Sequence, residues 1–180
     1  MARTLVVWCP DWPVVAAARE AGCSPDGAVA VLDRGRVYAC SAAARGHGVR
    51  RGLRLREAQA RCPDLVVLPY DPAVDARVFE PVVAAVEELA PGVEVIRPGM
   101  CAVSVRGPSR YFGSEEAFGE RLLDQLELAG FHAVLGIADG PFAAEQAARL
   151  GMVFPPGESR RCLAPLPIDV LERPGLVDLL

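Results

Sequence analysis

The chain has 180 residues, 52% of them hydrophobic, and a formal net charge of -4. This length is enough for one substantial core, while no apolar run reaches the roughly 20 residues that a membrane-spanning helix needs. All 19 basic residues are arginine, which excludes a lysine nucleophile or phosphate-loop lysine from this sequence. Because the start also lacks a signal-peptide pattern, we expect a soluble cytoplasmic protein with no membrane contact.

The first half of the sequence alternates short apolar runs with helical patterns. Residues 5–8 predict a buried strand, and Asp11 follows in a position to cap a helix over 12–20. Residues 28–40 read as a hairpin that turns at Asp33–Arg36. Three further elements are predicted before residue 90: a helix over 55–61, a strand over 65–69 and a helix over 72–89 capped by Asp71.

The second half predicts an antiparallel strand pair and two strand-and-helix segments. The order of the elements in 5–8, 72–89, 93–105, 115–128 and 133–138 is strand, helix, two strands, helix, strand. This order is typical of a ferredoxin-like sheet with helices on one face, in the α/β (α+β) class. A last helix runs from 141 to Gly151, and residues 22–70 form an insertion after the first helix.

Cysteine and histidine are scattered along the chain. The six cysteines include no C-x-x-C pair, and the two histidines are far apart in sequence. Zinc and redox sites need close ligand spacing. We therefore predict free structural thiols, no metal site and no cofactor.

Two motifs resemble the Y-family translesion DNA polymerases. SAAARGHGVRRGLRLREAQARCPDLVVLPYD (Ser41–Asp71) is similar to the fingers segment of that family, and GIADGPFAAEQAARLG (Gly136–Gly151) to a motif of its palm. LAPLPIDVL (Leu163–Leu171) is similar to the entry to its thumb. The resemblance implies a ferredoxin-like palm in 1–21 and 71–155, fingers in 22–70, and a linker with the start of a thumb in 156–180. It also implies that the thumb itself and the little finger are absent.

The same resemblance locates the positions at which an active polymerase binds metal. In the family, a D-x-D at the end of the first strand and a D-E in the palm hairpin hold two metal ions. Here these positions are Trp8 and Pro10, and Gly99 and Met100, and none of the four offers the carboxylate that Mg²⁺ prefers. The resemblance therefore implies no catalytic residue and no bound metal. We expect Trp8 to fill space rather than to stack on a base.

This loss resembles the catalytically inactive ImuB group of the family. The resemblance implies a bacterial scaffold or adaptor in damage-induced (SOS) mutagenic translesion synthesis and DNA repair. Its implied partners are DNA, a RecA-like mutagenesis protein, the sliding clamp and an error-prone C-family polymerase. Two alternatives stay open: an active polymerase with displaced acids, such as Asp11 with Glu94, and a simple DNA-binding module.

Arginines crowd one stretch of the predicted fingers. Residues 45–61 contain six arginines and one acid, Glu57. Such a local excess of positive charge is typical of phosphate contacts, although a solvated surface is the alternative. Arg45 stands at the triphosphate-contact position of the family and is expected to be vestigial. The residues predicted to contact DNA are Arg50, Arg51, Arg54 and Arg56.

Overall fold

A computed structural model describes residues 2–167 of the chain; the part of the predicted thumb entry beyond 167 lies outside the described residues. By their contacts, the described residues divide into two compact units. Unit 1 holds the chain up to Trp8, the segment Ala85–Ile96 and the described residues from Met100 onward. Unit 2 holds Cys9–Ala84 and Arg97–Gly99. The palm and fingers boundaries come from family resemblance and stay a prediction beside these units.

The secondary structure follows the predicted order. The strands are β1 (Arg3–Trp8), β2 (Val29–Asp33), β3 (Arg36–Cys40), β4 (Val66–Pro69), β5 (Glu94–Arg97), β6 (Met100–Ser104) and β7 (Val134–Asp139). The helices are α1 (Trp12–Ala21), α2 (Ala42–Gly46), α3 (Leu55–Arg61), α4 (Pro72–Glu87), α5 (Pro108–Phe112), α6 (Glu115–Leu128), α7 (Pro141–Leu150) and α8 (Ser159–Leu163). No helix among residues 2–167 is both long and apolar enough to cross a membrane.

The larger sheet has the strand order β5-β6-β1-β7. Its central strand β1 is antiparallel to both neighbours, so that Leu5 lies opposite Val103 on one side and Ile137 on the other. Leu5, Val6 and Val7 of β1 are fully buried, as the apolar run predicts. This is the strand order of a ferredoxin-like sheet, and it confirms the predicted α+β fold class.

Helix α7 packs directly on the larger sheet. Its buried face consists of alanines, and it shares a core with Val6, Met100 and Phe154. These small side chains allow a close approach to β7, where a Cβ added at Gly136 would lie 1.8 Å from the backbone nitrogen of Ala148. The helix backbone therefore rests against the strand backbone at this point.

The smaller sheet, β3-β2-β4, organises unit 2. Strands β2 and β3 form the predicted hairpin, whose turn residues Arg34 and Gly35 have φ of 49° and 75°, as a tight two-residue hairpin turn requires. Strand β4 is parallel to β2. One face of the sheet packs on residues of α2 and α3, and on the other face Val14 of α1 packs against β2.

Three short helices, α2, α5 and α8, are absent from the sequence predictions. Each has five residues, and so short a segment cannot show the 3.6-residue hydrophobic period on which a helix prediction depends. Helix α8 lies in the segment expected to be a linker to the thumb.

We expect Gly136→Ala to lower the free energy of unfolding by at least about 2 kcal/mol, because the new methyl group would overlap the backbone of α7. The measurement is urea unfolding followed by circular dichroism. Gly119→Ala is the matched control, since a Cβ there meets only Leu135 Cδ1 at 3.5 Å and alanine suits a helix interior better than glycine. Equal stabilities of the two variants would contradict the close approach of α7 and β7.

Asp75 in α4 is a buried acid that lacks a partner. The residue is 6% exposed, and among the described residues none donates a hydrogen bond to its carboxylate. Burial, and secondarily the charge of Asp71, raise the pKa of Asp75 from 3.8 to about 6. The folded state therefore holds the proton more tightly than the unfolded chain does, and it loses stability as the pH rises from about 4 through 6.

We expect Asp75→Asn to raise the free energy of unfolding at pH 7 by about 1–2 kcal/mol and to have little effect at pH 4. The gain should develop between these pH values, because only there does the carboxylate ionise in the folded state. Denaturant unfolding at a series of pH values measures it, with the exposed Asp124→Asn in α6 as control. A gain that is the same at pH 4 and pH 7 would contradict the assignment to ionisation.

Candidate nucleic-acid interface

Two of the predicted metal positions, Trp8 and Met100, belong to unit 1 and pair across β1 and β6. Met100 is fully buried in the core under α7, and the half-buried Trp8 packs against that core. The guanidinium carbon of Arg149 lies 5.9 Å from the centre of a Trp8 ring, and Arg149 pairs with Glu145 at 3.1 Å. Both side chains serve packing, as expected for Trp8.

The other two positions, Pro10 and Gly99, belong to unit 2. Gly99 is buried with φ of 85°, and a Cβ added there would lie 2.4 Å from Cβ of Trp12. The carbonyl of Gly99 accepts a 2.8 Å hydrogen bond from the Cys9 N–H. Left-handed backbone geometry and the adjacent tryptophan therefore leave no room for any side chain at residue 99.

The residues at these positions do not fit a pair of magnesium ions. Mg²⁺ requires oxygen ligands, usually carboxylates, and the four positions offer an indole, a proline ring, a glycine and a thioether. Within residues 2–167, no group of three or more His, Cys, Asp or Glu side chains could hold a metal ion elsewhere.

Asp11 is bound by Arg45 and does not cap α1 with its side chain. Two guanidinium nitrogens of Arg45 donate to the two carboxylate oxygens of Asp11, each at 2.8 Å. Asp11 precedes the helix with φ of 53°, and its side chain makes no capping hydrogen bond. The capping prediction was wrong: the carboxylate accepts two hydrogen bonds from Arg45 instead, and such a bidentate charged pair is a stronger interaction than one capping hydrogen bond.

The positive charge of Arg45 is therefore compensated by a group of the same unit. A third hydrogen bond runs from the guanidinium to the carbonyl of Cys40 at 2.6 Å. The hydrogen bond to Asp11 raises the pKa of Arg45 above its ordinary value. An incoming anion would have to displace Asp11 to reach this cation, and the vestigial role expected for Arg45 stays a prediction.

Arg50 and Arg51, predicted to contact DNA, already have neighbours within unit 2. One guanidinium nitrogen of Arg50 donates to the carbonyls of Arg45 and Val49 at 2.6 and 2.8 Å. The guanidinium of Arg51 lies 4.9 Å from the ring centre of Tyr38, which stacks on Tyr70. Both arginines are exposed, but these contacts restrict how far they can reach toward a ligand.

Arg54 and Arg56 line an open basic groove of about 590 Å³ together with Arg34 and Arg36. The only acid on the groove is Glu57, which accepts a hydrogen bond from the Arg54 backbone N–H. Within the described part of the chain, the guanidinium groups of Arg34, Arg54 and Arg56 have neither an ion pair nor a hydrogen bond. Several uncompensated cations around one groove favour a polyanion such as a nucleic-acid backbone.

Arg34 and Arg36 were not among the residues predicted to contact DNA. They lie about 20 residues before Arg54 and Arg56, and a single antiparallel bridge between Arg36 and Arg54 brings the two segments together. The available signal was the hairpin turn, which places its flanking residues on the surface. The pairing of that turn with the start of α3 could not be read from local sequence.

Comparison with known proteins places the chain in a family. The pattern of the impB/mucB/samB family (IMS) matches residues 13–149. The chain is 31% identical over 127 residues to Protein ImuB of Caulobacter vibrioides, an alignment covering 69% of this chain and 28% of that protein. It is 31% identical over 145 residues to DNA polymerase IV of Desulfatibacillum aliphaticivorans, covering 77% and 37%. The chain thus spans well under half the length of these relatives.

Solved structures of the polymerase Dbh share the fold. A Dbh ternary complex superimposes with a TM-score of 0.76 over 96% of this chain and 53% of that one, at 16% identity. A post-insertion binary complex of Dbh DNA polymerase gives a TM-score of 0.77 over 93% and 52%, at 17% identity. The chain belongs to the impB/mucB/samB family and has the fold of a Y-family DNA polymerase.

Proposed function

We propose that the chain is the palm and fingers part of a non-catalytic Y-family homologue that acts as a scaffold in damage-induced translesion synthesis. The observation that carries this proposal is the geometry at Gly99. By the family resemblance this residue stands at a metal-ligand position, and it has no space for a side chain beside Trp12. Trp8, Pro10 and Met100 add three further positions without a carboxylate. Two-metal catalysis needs such ligands to stabilise the attacking and leaving oxygens.

The family supports a role related to DNA damage, but its members named above include both Protein ImuB and DNA polymerase IV. An active enzyme would therefore need displaced acids, of which Asp11 and Glu94 are the candidates from the sequence. Asp11 is engaged by Arg45 through both oxygens. Glu94 is an exposed residue of β5, at the edge of the larger sheet. Neither the paired Asp11 nor the exposed Glu94 is in a position that favours binding of two metal ions. We therefore prefer the scaffold role.

The scaffold would act through partners. By similarity to the ImuB group, we propose a RecA-like mutagenesis protein, the sliding clamp and an error-prone C-family polymerase as partners of the full-length cytoplasmic protein. DNA is the fourth proposed partner, and the basic groove is the surface on this chain that suits it best.

We expect the full-length protein to extend no primer on a primer-template duplex, with either Mg²⁺ or Mn²⁺, because the family metal positions lack carboxylates. Single-nucleotide incorporation resolved on a denaturing gel measures this, with an active Y-family polymerase at equal concentration as positive control.

Two outcomes would contradict the inert assignment. Extension that is lost in Asp11→Ala would indicate an active site built on displaced acids. Extension that persists in Asp11→Ala and elutes with the protein through successive columns would indicate an active site elsewhere in the full-length chain.

We also propose that DNA phosphates contact the basic groove, chiefly through Arg34, Arg54 and Arg56, with smaller contributions from Arg50 and Arg51. The triple variant Arg34→Ala, Arg54→Ala, Arg56→Ala should weaken binding evenly across DNA sequences. Each phosphate contact that is lost should reduce the slope of log affinity against log salt concentration by about 0.7 to 0.9. Fluorescence anisotropy of labelled primer-template DNA at several salt concentrations measures this with the full-length protein.

A matched control removes the same charge elsewhere. Arg106, Arg110 and Arg121 are exposed arginines of unit 1, and their replacement by alanine should change the slope little. If both triple variants lower the affinity and slope equally, the effect is one of net charge alone. If neither variant changes them, the groove is a solvated surface.

A further inference from the structure

A second groove in unit 2 has the opposite charge. It has a volume of about 270 Å³, and its walls are largely apolar, formed by Ala17 of α1, Val31 of β2 and Leu68 of β4. Its acids are Glu20, Asp71 and Asp75. The groove combines apolar walls with negative charge, and neither the family's metal positions nor the basic groove uses any of these residues.

Asp75 is the unusual member of this groove. It is more than nine-tenths buried, lines the groove, and accepts no hydrogen bond at its carboxylate from any residue in 2–167. Buried carboxylates are ordinarily paired with a cation or with several N–H donors, because removing a charge from water is unfavourable. Arg77, two residues further along α4, is paired with Glu20 at 2.8 Å, and none of the described residues forms an ion pair with Asp75. A cationic ligand would compensate this carboxylate.

We propose that this groove binds an arginine side chain of a partner protein, with the guanidinium on Asp75 and the alkyl stem against the apolar walls. A planar guanidinium is weakly hydrated and matches a carboxylate through two parallel hydrogen bonds, which suits a site with dry walls better than an ammonium group. The stem of an arginine covers apolar surface readily.

The groove, of about 270 Å³, is large enough for one long side chain. Its charge also identifies the ligand as a cation: three acids face it, one of them paired with Arg77. The inference does not depend on whether the chain is catalytic or binds DNA, so it can fail independently of the proposed function.

The test uses a defined probe, the peptide acetyl-Val-Leu-Arg-Leu-Val-amide, and its twin with citrulline in place of arginine. Citrulline keeps the shape and removes the charge. Titration of the ¹⁵N-labelled protein followed by amide chemical shifts should show the arginine peptide perturbing residues 17, 68 and 74. The citrulline peptide should bind at least tenfold more weakly.

Two variants separate charge from shape. Asp75→Asn keeps the size of the side chain and should weaken binding of the arginine peptide at least tenfold. Ala17→Leu should block the groove while its three acids stay in place. Asp124→Asn in α6 is the charge-matched control and should bind as the unmodified chain does.

The pH dependence gives an independent readout. Since the pKa of Asp75 is raised to about 6, the arginine peptide should bind about tenfold more weakly at pH 5 than at pH 8. Glu20 and Asp71, the other titratable groups facing the groove, remain in Asp75→Asn, so a pH dependence that persists in this variant would assign the effect to them and overturn the role of Asp75.

Other outcomes would also overturn the proposal. Equal binding of the arginine and citrulline peptides would exclude recognition of charge. If agmatine alone binds as tightly as the peptide, the groove is a site for a small organic cation and not for a partner protein.

Discussion

Trp12 holds together the segments around Gly99 in unit 2. Its indole N–H donates to the carbonyl of Asp75 at 3.0 Å, and its ring meets Phe79 edge-to-face at 5.0 Å. The side chain is 3% exposed and lies over Gly99. A large ring in this place stabilises the contact of α1 with α4. Cβ and Cγ of the same residue leave no room for a side chain at residue 99, so the packing of Trp12 and the requirement for glycine at this position have the same cause.

The Asp11–Arg45 pair satisfies a partly buried cation within unit 2. An arginine whose guanidinium is partly withdrawn from water needs an acceptor. Here a carboxylate in the same unit accepts both hydrogen bonds. This requires the left-handed backbone at Asp11, a conformation that aspartate tolerates better than most residues do.

The sequence was sufficient where a feature depends on local pattern. The run from Leu5 to Trp8 predicted the central strand of the larger sheet, and the helix predicted over 55–61 has the bounds observed for α3. The sequence was not sufficient where backbone geometry or distant segments determine a contact. Asp11 is a residue type that favours capping, yet its carboxylate pairs with Arg45, 34 residues further along the chain. The basic groove depends on the pairing of Arg36 with Arg54, and the burial of Asp75 depends on the packing of α4, which the helical period of residues 72–89 did not disclose.

The charges of unit 2 fall into groups that differ in how they are compensated. Arg45 is matched within the unit by Asp11, so it can contribute to stability without any ligand. Arg34, Arg54 and Arg56 have no charged partner among residues 2–167 but are exposed, and water screens their charges. Asp75 also has no cationic partner in that range and is buried, so that water compensates its charge less completely. Binding of another molecule is favoured most where that molecule supplies the opposite charge that the described residues do not supply.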